Sequence, residues 1–151
     1  MTPFRNAGLA FVASLMMSSV ALAAEPHVEV ASTKGCGCCI AWTKHLEENG
    51  YTTEVEYLPI GELMQKKLGA GLKPALTSCH TGIVEGYVIE GHVPAREIDR
   101  LLAERPDAIG LTVPNMPYGS PGMGEPGPDA DPYDVLLVRR DGSTELFASY
   151  R

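Results

Sequence analysis

The chain has 151 residues, 44% of them apolar and 21% charged, so it can bury a core and is not disordered throughout. Its length allows one domain with at most a small appendage. Twelve Lys and Arg against nineteen Asp and Glu leave a net charge of −7, which argues against a nucleic-acid partner, because phosphate recognition needs a basic patch.

The first two dozen residues read as a targeting segment. Arg5 supplies a basic start, Ala7 to Leu22 is an almost uncharged apolar stretch, and Ala21-Leu22-Ala23 is a small-x-small cleavage site. The apolar core is short for a spanning helix and no stop-transfer pattern follows. Residues 1–23 are therefore expected to be a signal peptide, with residues 24–151 forming one domain exported to the periplasm. All four cysteines remain in that domain. No second apolar run offers membrane insertion once the signal is removed.

His27 to Ala31 alternates polar and apolar residues and predicts a short strand. Gly35 breaks it, and Cys38 to Asn49 has helical character, with Ala41, Trp42, His45 and Leu46 on one face and Gly50 as the stop. Thr52 to Leu58 reads as a second strand. Ile60, Leu63, Met64, Lys67 and Leu68 give a second helix ending at Gly69. After Pro74, Ala75 to His80 and Ile83 to Glu90 read as two strands joined by a turn at Thr81-Gly82. Pro94 opens a third helix with Ile98, Leu101 and Leu102 inward, and Pro106 closes it. The order to this point is βαβαββα.

From Pro114 to Pro132, ten of nineteen residues are Pro or Gly, so neither a helix nor a central strand is expected in 114–132. Residues 133–151 hold a terminal hairpin, Asp134 to Arg139 and Thr144 to Ala148, around Asp141-Gly142.

The chemistry is concentrated at Gly35-Cys36-Gly37-Cys38-Cys39, at a strand-to-helix junction. Cys36 and Cys39 have C-x-x-C spacing, with Cys38 between them. A helix N-terminus presents free N–H groups and partial positive charge, which favour the thiolate. The thiolate is both the nucleophile of disulfide exchange and the metal-binding form. Structural disulfides are the plain alternative for four cysteines in an oxidising compartment, but adjacent Cys38 and Cys39 make two routine bridges awkward.

The element order, with C-x-x-C opening the first helix, resembles a thioredoxin fold. That resemblance implies a cis-proline at Pro74, ahead of the third strand, and brings Gly91-His92 close to the cysteines. A closer resemblance is carried by GCGCC-x-x-W-x-x-HL, SCHT-x-x-x-x-GY-x-x-EGHVPA, GL-x-VP-x-MP-x-GSPGM and DPYDVLL. These motifs are similar to those of the CopG-type periplasmic copper-binding proteins, a small thioredoxin-like family linked to bacterial copper tolerance. The one departure is Asn115, where the VPGMP pattern has Gly. The resemblance implies several Cu(I) ions bound by the C-x-C-C cysteines with nearby Cys, His and Met, together with redox activity toward copper.

The donor chemistry agrees, because soft Cu(I) prefers thiolate and thioether to carboxylate. The candidate metal ligands are Cys36, Cys38, Cys39, Cys79, Met116, Met123, His80 and His92. Three cysteines within four residues suit a thiolate-bridged multinuclear cluster better than a single ion. Zinc is the rival metal, since Cys with His80 would serve a tetrahedral site; Met116 and Met123, on a Pro/Gly loop where core filling is hard to argue, favour copper. His80 follows Cys79 on the expected strand, so the two would point to opposite faces. His45 reads as a boundary residue near a helix C-terminus, where a protonated imidazole is tolerated, and His27 as peripheral. Met64 and Trp42 read as core.

Two functions compete. One is a periplasmic Cu(I)-binding protein for copper tolerance, with copper ions and other copper-handling proteins as partners. The other is a thiol–disulfide oxidoreductase with Cys36 as nucleophile and Cys39 as resolving thiol.

Overall fold

The structure is a computed structural model that describes residues 25–151; the signal-peptide reading falls on residues 1–23 and lies outside the described residues. The elements in chain order are β1 (His27–Ser32), α1 (Gly37–Glu48), β2 (Thr52–Tyr57), α2 (Ile60–Gly69), a 3₁₀ turn (Pro74–Leu76), β3 (Thr81–Val84), β4 (Tyr87–Glu90), α3 (Ala95–Glu104), β5 (Gly110–Thr112), β6 (Tyr133–Val138) and β7 (Thr144–Tyr150). The expected βαβαββα order and the terminal hairpin are both present, in a mixed α/β architecture. No helix among the described residues is long and apolar enough to cross a membrane.

All seven strands form one sheet in the order β2-β1-β3-β4-β5-β6-β7. The β1–β2 and β4–β5 pairs are parallel and the others antiparallel. Alternation along the strands sends neighbouring residues to opposite faces. Ile89 joins Val28, Val30, Trp42, Leu46, Ile98 and Leu101 in the larger core. Its neighbour Val88 joins Leu72 and Val138, with Leu76 and Ile83 against them, in a smaller core on the other face. The larger core thus takes α1 and α3, which leaves the start of α1 at one end of the sheet, where the site lies.

Three local expectations are corrected. Ala75–His80 is not a strand: Pro74–Leu76 is a 3₁₀ turn, and Cys79 and His80 precede β3 in irregular backbone. The hairpin turn falls at Glu85-Gly86, where both residues have positive φ (47° and 85°), as a two-residue turn between twisted strands requires. Thr81-Gly82, expected as the turn, is instead the start of β3. Pro74 is trans, since there is no cis peptide bond among the described residues. Proline fixes φ and lacks an N–H, and both properties suit the first position of a 3₁₀ turn.

The short strand β5 was not expected. Its three residues are too few to show an alternation; all three are buried, in a strand paired on both edges by β4 and β6. The apolar stripe assigned to α2 is also altered. Ile60 and Leu68 are exposed, whereas Lys67 is buried.

Candidate metal centre

β1 ends at Ser32, and Gly35, at φ 81°, turns the chain into α1. Cys36 occupies the N-cap of α1, and Cys38 and Cys39 lie in its first turn. No side chain caps this helix end and no acidic residue sits in the first turn. Its positive end is therefore free to act on the sulfurs.

Cys36 and Cys39 are joined by a disulfide, with their Cα atoms 5.3 Å apart. Cys38 and Cys79 are free thiols. Cys38 is the central sulfur, 3.5 Å from Cys36 Sγ and 3.7 Å from Cys79 Sγ. All four sulfurs lie within 4.8 Å of one another. Two chain segments forty-one residues apart therefore meet at one point, and Cys79 supplies the one sulfur of the group that does not come from the start of α1.

Two histidines meet the same sulfur. His80 Nδ1 is 3.3 Å and His92 Nε2 is 3.2 Å from Cys79 Sγ. The expectation that Cys79 and His80 point apart is corrected, because neither residue is in a strand and the two-residue alternation does not apply. His92 sits in the segment before α3 and donates from Nδ1 to the carbonyl of Pro121 at 2.8 Å. A carbonyl only accepts, so in the neutral ring Nε2 carries the lone pair that faces the sulfur. Metal-binding imidazoles are commonly oriented in this way.

Burial, then His92 and Lys67, hold His80 well below the usual imidazole range. Burial likewise lowers His92. Both rings are therefore neutral at neutral pH, the form in which imidazole binds metal. Trp42 packs over His80 with ring centroids 4.3 Å apart. Gly82 makes room for this: a Cβ there would lie 3.1 Å from the Trp42 ring. Among the described residues, His80 Nε2 is the buried side-chain nitrogen left without a hydrogen-bond partner. Burial and the neighbouring Cys38 push the Cys79 thiol up to about 12, so it is protonated until an ion displaces the proton.

The Pro/Gly segment folds over the start of α1. Gly122, at φ 85°, lies so close that a Cβ would be 2.7 Å from the Cys38 carbonyl oxygen and 2.8 Å from the Trp42 nitrogen. Turn bonds from Met123 N to Ser120 O and from Gly119 N to Met123 O close the loop on itself. Met123 is half-buried there, whereas Met116 is 50% exposed. Asn115 has φ 65°, a left-handed conformation that Asn tolerates better than most residues; the departure from Gly thus keeps the loop path.

Other candidates lie elsewhere. His45 accepts a hydrogen bond at Nε2 from the backbone N–H of Ala95, at the start of α3. It is therefore a neutral acceptor that ties the end of α1 to the start of α3. His27 is near Thr52 on β2. Sequence reasoning missed the Pro121 carbonyl, which no side-chain pattern can reveal. It also missed the buried pair Lys67–Glu90, whose one signal was a lysine inside the apolar stripe of α2.

Residues 76–123, which hold Cys79, His80, His92, Met116 and Met123, match the family described as "Protein of unknown function, DUF411". Two solved structures resemble the fold. "Copper resistance protein copG- Form 1" is 41% identical with a TM-score of 0.76, over 83% of this chain and 98% of that chain. "Copper resistance protein copG- Form 2" is 40% identical with a TM-score of 0.75, over the same shares. Among curated proteins, none matches the chain.

Proposed function

The chain belongs to the family of the copper resistance protein CopG, and we propose that it is an exported, periplasmic Cu(I)-binding protein serving copper tolerance. The observation that carries this reading is the convergence of four cysteine sulfurs within 4.8 Å, with two neutral imidazoles on Cys79. Thiolates and imidazoles suit Cu(I), and no carboxylate belongs to either potential ligand group. Cys38, between Cys36 and Cys79, has the position of a bridging ligand, which supports a cluster over a single ion. Met116 and Met123 would add thioether donors from the covering loop.

The disulfide gives the site a redox side. Two electrons and two protons from a dithiol donor break the Cys36–Cys39 bond and yield two thiols, the donor becoming a disulfide. Copper binding then releases the thiol protons. The same bond favours the second reading, thiol–disulfide exchange, in which Cys36 is the more accessible sulfur and Cys39, 2% exposed, the buried one.

The test is to reduce the protein anaerobically, load it with Cu(I) or Zn(II) and count bound ions against a competing chelator. The copper reading expects more than one Cu(I) per chain and a lower count in Cys38→Ser and in Cys79→Ala. Disulfide reduction that needs Cys36 but not Cys38, with no retained copper, would favour the exchange reading.

A further inference from the structure

Beside the sulfurs lie two buried charged side chains, Lys67 on α2 and Glu90 at the end of β4, 1% and 0% exposed. Three donors converge on the Glu90 carboxylate. Lys67 Nζ reaches Oε1 at 2.5 Å, the backbone N–H of Ser78 reaches the same oxygen at 2.6 Å, and Thr81 Oγ1 donates to Oε2 at 2.5 Å. Lys67 also donates to Thr81 Oγ1 at 2.8 Å. Ser78 and Thr81 are the residues that bracket Cys79 and His80.

We infer that Glu90, balanced by Lys67, is a positioning residue of the metal centre: its carboxylate clamps the Ser78–Thr81 segment and so aims Cys79 at Cys38 and His92. The inference rests on the copper reading of the site. Cys79 and His80 belong to no helix or strand, so no ladder sets their direction. Their tethers do. Thr81 stands opposite Glu90 in the β3–β4 register, which brings its hydroxyl to the carboxylate. Gly91 N donates to the His80 carbonyl at 3.1 Å. Gly91 has no Cβ, and one built there would lie 2.7 Å from Ser78 Cβ. The end of β4 thus seats Ser78 closely enough for its N–H to reach Glu90.

Stability does not account for such a pair. Desolvating two ions costs as much as their attraction returns, and apolar residues of similar volume often do as well or better. A carboxylate offers something an apolar residue cannot, two acceptor oxygens that bind both flanks of one short segment.

The test compares two double variants that both remove the buried charges. Lys67→Met with Glu90→Gln keeps an acceptor for the Ser78 N–H; Lys67→Met with Glu90→Leu does not. In the metal-free reduced protein, the Leu version should exchange the Ser78 amide hydrogen about tenfold faster or more, the effect of losing one hydrogen bond to a charged acceptor. It should also hold Cu(I) less tightly against a chelator and change the copper–thiolate charge-transfer spectrum. The Gln version should keep the parent spectrum and copper count. Parent-like copper binding and spectrum in the folded Leu version would overturn the assignment, as would equal losses in both versions.

If the Leu version does not fold, Thr81→Val removes one flank of the clamp and should weaken Cu(I) retention in the same direction; parent-like retention there overturns the assignment. Failure of the parent protein itself to hold copper would refute the copper reading. Ser78 exchange would still report the clamp.

Discussion

The Nδ1–H of His92 donates to the Pro121 carbonyl at 2.8 Å, and this single bond decides which nitrogen faces the sulfurs. It also links the covering loop to the segment before α3, so that ligand orientation and loop closure depend on each other. Replacing His92 by Ala should leave the sheet intact and weaken Cu(I) binding by about 10-fold or more, at least the scale of losing a partner that merely orients a ligand. Chelator competition with the reduced protein measures it. Unchanged affinity would remove His92 from the site.

Gly122 touches the backbone of α1 at a positive φ. Gly122→Ala meets both the Cys38 carbonyl and an unfavourable backbone conformation, so it should destabilise the protein by about 2 kcal/mol. It should also lift the loop and loosen His92, which shares that loop through Pro121. Thermal unfolding gives the first effect and copper retention the second. A variant with the parent melting temperature would show that the loop yields without cost.

The loop methionines separate the two metals. Exchanging Met116 and Met123 together for Leu keeps volume and apolarity, so folding should change by less than about 1.5 kcal/mol. Cu(I) retention should fall while Zn(II) binding stays as in the parent, because thioether is a soft ligand. Equal Cu(I) retention would make both methionines bystanders, a result most easily pictured for the exposed Met116.

Stability of the metal-free protein should rise with pH below neutrality. Burial holds His45, His80 and His92 below the ordinary imidazole value of about 6.5. Between the native and unfolded values the unfolded chain binds more protons, so stability is fully present above about pH 6.5 and is lost as the pH falls below it. His45→Gln keeps an acceptor for the Ala95 N–H without a titrating ring. Its unfolding midpoint should therefore fall less steeply between pH 6.5 and 5 than that of the parent. Identical slopes in denaturant titrations would assign the whole effect to other groups.

Periodicity, turn chemistry and donor type are local properties, and they settled much of this protein in advance. The βαβαββα order, the strand-to-helix position of Cys36, Cys38 and Cys39, and the C-terminal hairpin follow from patterns spanning a few residues. Contacts across the sheet are different in kind. That Cys79 lies 3.7 Å from Cys38, and that His80 shares its direction, depended on the segment before β3 being irregular. A strand there would have sent the two side chains apart. The Lys67–Glu90 pair was hidden for the same reason, since a lysine in an apolar stripe has meaning only once a carboxylate is seen to face it. Sequence determined which atoms are available to a metal; only tertiary packing decided which of them meet, because direction in irregular backbone is set by hydrogen bonds to residues far away in the chain.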